Sequence, residues 1–201
     1  MSPHIIGITG GIASGKSFVA SVFEKAGIEV ISADKVYHDL ILPNNKLWKL
    51  LKDEWGNDIL DSDGKIDSKT MSNIVFFDDK ALKRLNSITH PVISETLRNM
   101  FLSSKSEFLI LEAPLLIESG YKDLVDEIWV VDIPEQLQID RLKKRNGMEE
   151  TKAKKIINKQ LTREERISFA DKIIDNSKSK EKTENYLKQL IKNLKHRSVN
   201  K

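Results

Sequence analysis

The chain has 201 residues, enough for one sizeable core with small insertions, and 39% hydrophobic with 31% charged residues is ordinary for a soluble globular protein. Its 33 basic and 30 acidic residues nearly cancel to a net charge of +3, far from the one-sided basicity of a dedicated nucleic-acid binder. The lack of cysteine excludes disulfide frameworks and thiolate metal sites, and no apolar run approaches the roughly 18 to 20 residues of a membrane helix. "MSPHIIGITGG" carries no basic region followed by a long apolar stretch, so no signal peptide is expected and the cytoplasm is the expected compartment.

Residues 4–9, "HIIGIT", read as a strand buried on both faces. The eight residues that follow, Gly10-Gly11-Ile12-Ala13-Ser14-Gly15-Lys16-Ser17, match G-x-x-x-x-G-K-[ST]. Val19, Val22, Phe23 and Ala26 then recur at helical spacing, Gly27 stands where a helix C-cap belongs, and "IEVIS" (28–32) reads as a second strand. A strand, a glycine-rich loop ending in lysine and hydroxyl, and a helix is the order a phosphate-binding loop requires. Backbone N–H groups and the helix N-terminus face an anion, Lys16 reaches the β and γ phosphates, and Ser17 ligates Mg²⁺. ATP or GTP with Mg²⁺ is therefore expected.

Asp34 follows the second strand directly, at the carboxyl end where open α/β sheets bind ligands. A carboxylate there can accept the proton of an attacking hydroxyl. An N-cap for a helix over "KVYHDLI" would use the same residue as naturally, and the local pattern leaves both readings open. From about 43 to 105 the pattern changes to that of a helical insertion: Leu47, Leu50 and Leu51 form an apolar patch, "DSDG" (61–64) reads as a turn, and His90-Pro91 predicts a new helix beginning at the proline. "DSDG" is no calcium loop, since the twelfth position from Asp61 is Ser72 where a bidentate Glu is needed.

"EFLILEA" (107–113), "DEIWVVD" (126–132) and "DKIID" (171–175) supply three further strands, so a five-stranded parallel sheet with helices on both faces is expected. Two of these runs end in an acid, Glu112 and Asp132, and either suits a second acid at the metal. Between strands, Pro134 opens a helix that Gly147 closes, a second helix covers "EETKAKKIINKQ", and Thr162 with Glu165 matches a capping box for a third. This stretch is rich in arginine and lysine. Its lysines read as a solvated face, while planar guanidinium groups suit phosphate. Leu187, Leu190, Ile191 and Leu194 mark a final packing helix within about 178–201, with a disordered basic end expected from about His196.

A GTPase should carry an N/T-K-x-D motif, and "NKLW" (45–48) and "NKQL" (158–161) both lack the aspartate. Motor ATPases need more modules than 201 residues allow. A small-molecule kinase remains, with nucleotide loop, acceptor subdomain and closing lid; a nucleotide-dependent nucleic-acid module is disfavoured because no aromatics interleave with the charges.

Taken in order, "GITGGIASGKS", "GIEVISADKV", "WGNDILDSDGKID", "LNSITHP", "APLLIESG", "RLKKRNGM", "INKQLTREERISFAD" and "IIDN" resemble the dephospho-coenzyme A kinase family over nearly the whole chain. The resemblance implies a three-layer α/β/α P-loop kinase fold with a helical acceptor-binding insertion and a lid over about 141–165. It implies direct in-line transfer from ATP, with Mg²⁺, to the ribose 3′-hydroxyl of dephospho-coenzyme A, without a phosphoenzyme. Its partners would be these small molecules alone, with no nucleic acid or membrane, in a monomer or weak homo-oligomer. By position, Asp34 resembles the general base, Lys16 and Ser17 the phosphate and metal ligands, and Arg141 a lid residue contacting phosphate. Residues 11–17 are similar to the ATP-binding loop, Asn176 to a residue near the adenine, and His90, Leu115, Leu116 and Glu118 to acceptor-site residues, the two leucines being equally plausible as core. Ala13 departs from the glycine usual in the loop, which matters only if that position needs positive φ; Ser32 and Ser68 replace an acid and an arginine common in the family.

Overall fold

The computed structural model describes residues 3–76 and 78–199, with side chains omitted at 76 and 197–199. The chain divides into two compact units, Met1–Ser32 with Ser104–Lys201, and Ala33–Ser103.

The first unit is built on five parallel strands: β1 (His4–Gly10), β2 (Glu29–Ser32), β3 (Phe108–Glu112), β4 (Glu127–Asp132) and β5 (Lys172–Asp175), in the order β2-β3-β1-β4-β5. All five runs expected as strands pair as such. β1 is central because its Ile6 and Ile8 can be wholly buried, as a strand covered on both faces requires. One face is covered by α1 (Lys16–Lys25) and α9 (Lys180–Val199), whose Val19, Phe23, Leu187, Ile191 and Leu194 pack on Ile6, Ile8, Trp129 and Ile174. Gly27 adopts φ 79°, the left-handed turn that ends α1, as its position predicts. α9 is helical to Val199, and the rest of the disordered end expected from about His196 lies outside the described residues; buried Leu194 and the Lys195 ammonium on the Ala26 carbonyl (2.8 Å) fix the helix up to that point.

Beyond β4 come α6 (Glu135–Asn146), α7 (Glu150–Ile157) and α8 (Arg163–Ser168). Gly147 ends α6 at φ 60°, and the Thr162–Glu165 capping box forms with both reciprocal bonds. Ile139 and Leu142 of α6 and Ala153 of α7 make a second small core, against which Ile12 and Ala13 of the glycine-rich loop pack.

The second unit is helical: α2 (Ala33–Leu40), α3 (Lys46–Trp55), α4 (Ser68–Phe76) and α5 (Asp79–Ser103). Leu60 and Ile66 bridge as an antiparallel pair around the Asp61–Gly64 turn, whose Asp61 carboxylate accepts from the Asp63 and Lys65 amides. The helix start expected at Pro91 does not occur. α5 passes unbroken through the proline for 25 residues. One buried face of Thr89, Val92, Ile93, Leu97 and Phe101 continues across it, and this packing outweighs the single backbone bond that proline removes.

Candidate functional site

The glycine-rich loop joins β1 to α1 and turns its carbonyls outward. Gln138 Nε2 donates to the Ile12 carbonyl (2.8 Å), and Arg141 Nη1 to those of Ala13 and Ser14 (3.1 Å each). Asn176 Nδ2 also reaches the Ser14 carbonyl (2.7 Å), and Arg141 Nη2 donates to the Asn176 carbonyl (2.8 Å). The carbonyls of Ile12, Ala13 and Ser14 are thus held on one side, while the Ile12 amide goes to Gln160 and the Ser14 amide to the Gly11 carbonyl, so the polarity toward an anion rests mainly on the turn into α1. α1 also starts with no side-chain cap on its first amides. This is the polarity an anion site needs.

Two backbone positions shape the cup. Gly15 sits at φ 97°, and a Cβ there would lie 2.2 Å from the Asn176 amide nitrogen, so glycine is required both for conformation and for that approach. Ala13 sits at φ 60°. The position therefore does demand the left-handed region, which costs an L-residue roughly 1 kcal/mol; packing of its methyl against the Ile139–Leu142–Ala153 core offsets part of that.

Lys16 is buried and its ammonium donates to the carbonyls of Gly10 (2.9 Å) and Gly11 (3.1 Å), lying across the loop it belongs to. Ser14 Oγ is buried and is the only such side-chain polar atom among the described residues without a partner, which points to a ligand as its missing neighbour. Ser17 Oγ donates to Glu112 Oε1 at 2.8 Å. β3 lies beside β1 with Ile8 opposite Glu112, and this register carries the carboxylate to the start of α1. The other acid, Asp132, is engaged by Arg163 through both Nε (2.9 and 3.2 Å) and Nη2 (2.6 Å). Of the two candidates for the second acid, the structure thus brings Glu112 to the hydroxyl.

Arg141, expected over the phosphates, has its guanidinium committed to three carbonyls behind the loop. Arg166, in the same basic stretch, is buried, its charge disfavoured by desolvation, with Nη2 on the Leu161 carbonyl at 2.6 Å. Leu115 is exposed, whereas Leu116 is wholly buried, and a Cβ on Gly7 would meet its Cδ2 at 2.8 Å, so its side chain fills the core over β1. Glu118 is exposed and accepts weakly from the Leu161 amide (3.4 Å). In the second unit, Asp34 is exposed in the first turn of α2, which already starts at Ala33, so it stands within the helix rather than capping it. His90 lies mid-way along α5, partly buried, and burial lowers its pKa below the ordinary histidine value. Gln138 and Gln160, both bonded to Ile12, were not singled out from the sequence, because a glutamine on a helix or turn carries no signal of what it will touch.

A family model described as dephospho-CoA kinase matches residues 4–182. The dephospho-CoA kinase of Carboxydothermus hydrogenoformans is 39% identical over 98% of this chain and 97% of its own length. Among solved structures, a Thermus thermophilus protein superposes with a TM-score of 0.83 at 27% identity, covering 96% of this chain and 99% of that one. The dephospho-CoA kinase from Campylobacter jejuni does so with a TM-score of 0.71 at 30% identity, covering 94% and 96%. With a family model matched over residues 4–182 and a relative 39% identical along nearly the whole of both chains, the chain belongs to the dephospho-CoA kinase family, whose members are transferases.

Proposed function

We propose that the chain transfers the γ-phosphoryl group of ATP directly, in line, to the ribose 3′-hydroxyl of dephospho-coenzyme A. The observation that carries the nucleotide half is the loop itself: three successive carbonyls pinned outward by Gln138, Arg141 and Asn176, with an unpartnered buried Ser14 hydroxyl and a lysine laid across it. Family membership supports the acceptor.

In this reading residues 11–17 hold the phosphates, and Asn176 with Arg141 shapes the edge of the site where the base would lie. Lys16 offsets charge on the transferring group. Arg141 contributes by fixing the loop through its carbonyls. Asp34 orients the sugar hydroxyl and takes its proton. Leu115, Glu118 and His90 contribute to the acceptor side, with Leu116 holding the backbone of that segment from the core.

The oxygen donors of Ser17 and Glu112, 2.8 Å apart, suit Mg²⁺, a hard cation that takes one or two protein oxygens and leaves its other positions to phosphate and water. When bound, it would neutralise charge between the β and γ phosphates. The segment of about 141–165 acts as a lid that excludes competing water.

One assay tests the reading: ATP consumption and product formation with dephospho-coenzyme A, AMP, CMP and shikimate as alternative acceptors. The expected result is turnover with dephospho-coenzyme A alone, phosphorylated at the 3′ position, and its loss in Lys16→Ala. Equal or greater turnover with another acceptor would overturn the acceptor assignment, and full activity of Lys16→Ala would overturn the nucleotide loop.

A further inference from the structure

Ile12 is the residue of the loop whose two backbone polar groups are both taken by side chains from elsewhere. Its carbonyl accepts from Gln138 Nε2 at 2.8 Å, and its N–H donates to Gln160 Oε1, also at 2.8 Å. The roles of the two carboxamides are forced, because a backbone N–H only donates and a backbone carbonyl only accepts. Gln138 is buried on α6, one turn before Arg141, which holds the next two carbonyls. Gln160 stands in the turn between α7 and α8, and that turn is itself anchored by the Arg163–Asp132 ion pair and the Thr162–Glu165 capping box. Gly11 makes the approach possible: a Cβ there would lie 2.1 Å from Gln138 Nε2.

The next residue is Ala13 at φ 60°, a conformation an alanine keeps only where its surroundings over-determine it. Those surroundings are the two carboxamides on one side of it and Arg141 on the other. We propose that Gln138 and Gln160 are positioning residues that grip Ile12 from both sides and thereby hold the phosphate cup in its binding shape, tying it to the α7–α8 turn. They act through the loop backbone, so their effect falls on ATP and not on the acceptor. This proposal rests on the reading of the loop as the ATP site.

The decisive comparison is Gln138→Glu with Gln160→Glu. Each places the same extra negative charge next to Ile12, but glutamate at 160 still accepts from the N–H, whereas glutamate at 138 has lost its donor and faces a carbonyl. We expect the KM for ATP to rise about tenfold more in Gln138→Glu than in Gln160→Glu, the size of one lost buried hydrogen bond with its partner left unsatisfied, while the KM for dephospho-coenzyme A stays unchanged in both. Equal effects in the two variants, or a parallel rise in the acceptor KM, would overturn the proposal. Should the buried Gln138 variant not fold, Gln160→Met decides alone: it keeps length and charge and replaces the carboxamide oxygen by a thioether that accepts only weakly, so an ATP KM within twofold of the parent's would overturn the proposal and a rise of about tenfold would support it. ATP-induced thermal stabilisation of the unaltered chain separates the two levels. If the parent is not stabilised, the ATP-site reading and the proposal fall together; if parent and variants are stabilised alike, only the grip on Ile12 falls.

Discussion

The Ser17 hydroxyl donates to the Glu112 carboxylate at 2.8 Å, while Asp132, at the end of β4 on the other side of β1, pairs bidentately with Arg163. Two acids with the same local setting, each closing an apolar strand, are given different work by their register against β1. Glu112→Gln keeps a hydrogen-bond acceptor for Ser17 and removes the charge. We expect kcat/KM to fall about 10- to 100-fold and the Mg²⁺ dependence to shift to higher concentration, whereas Lys188→Met, which only releases the exposed ion pair with Glu184 one turn away on α9, changes kcat/KM less than about threefold. Mg²⁺ titrations of initial rate on the two variants check this; an unshifted midpoint in Glu112→Gln would discard the assignment.

Asp34 is exposed in the first turn of α2 and lies outside the loop that would hold ATP. A general base removed without disturbing that loop lowers turnover and spares nucleotide binding. Asp34→Asn should therefore lose about 10²- to 10⁴-fold in kcat with the ATP KM changed by less than about twofold. Steady-state kinetics decide it, and a parental kcat in this variant would remove Asp34 as the base.

Arg141 serves three carbonyls with a planar fork, a geometry a point-like ammonium cannot reproduce. Arg141→Lys should consequently behave almost like Arg141→Met, lowering stability by about 2 kcal/mol and weakening ATP binding together. Urea unfolding with and without ATP measures both effects. Parental stability in the lysine variant would show that the charge alone matters.

His90 gives a pH dependence whose sign follows from its burial. Desolvation lowers its pKa in the folded chain, so at acid pH the unfolded chain binds more protons and stability rises with pH. The contribution is complete above the unfolded histidine value of about 6.5 and is lost as pH falls through the lower folded value. A His90→Asn variant should show a shallower loss of stability below pH 6.5 than the parent, read from unfolding curves at several pH values; identical slopes would contradict the buried-histidine account.

Much was legible in the amino-acid order alone. Five short apolar runs announce the strands of a parallel sheet, although the edge strands β2 and β5 are only partly buried, and a glycine-rich loop between the first of them and an amphipathic helix announces a phosphate cup, because both signals are local in the chain. The capping box at Thr162 and the turn at Asp61 were readable for the same reason. Pro91 misled because its local rule, a helix start, yields to a buried face that extends along α5 on either side of it.

What only tertiary structure decided are the pairings between residues far apart in sequence. The choice of Glu112 over Asp132 depends on the register each flanking strand takes against β1 and on Arg163 docking onto Asp132, and the employment of Arg141 on carbonyls depends on how α6 packs behind the loop. The grip of Gln138 and Gln160 on Ile12 spans 126 and 148 residues of chain. A residue type and its neighbours dictate backbone conformation and chemical capacity; the partner that uses this capacity is set by sheet order and helix docking, which no local pattern encodes.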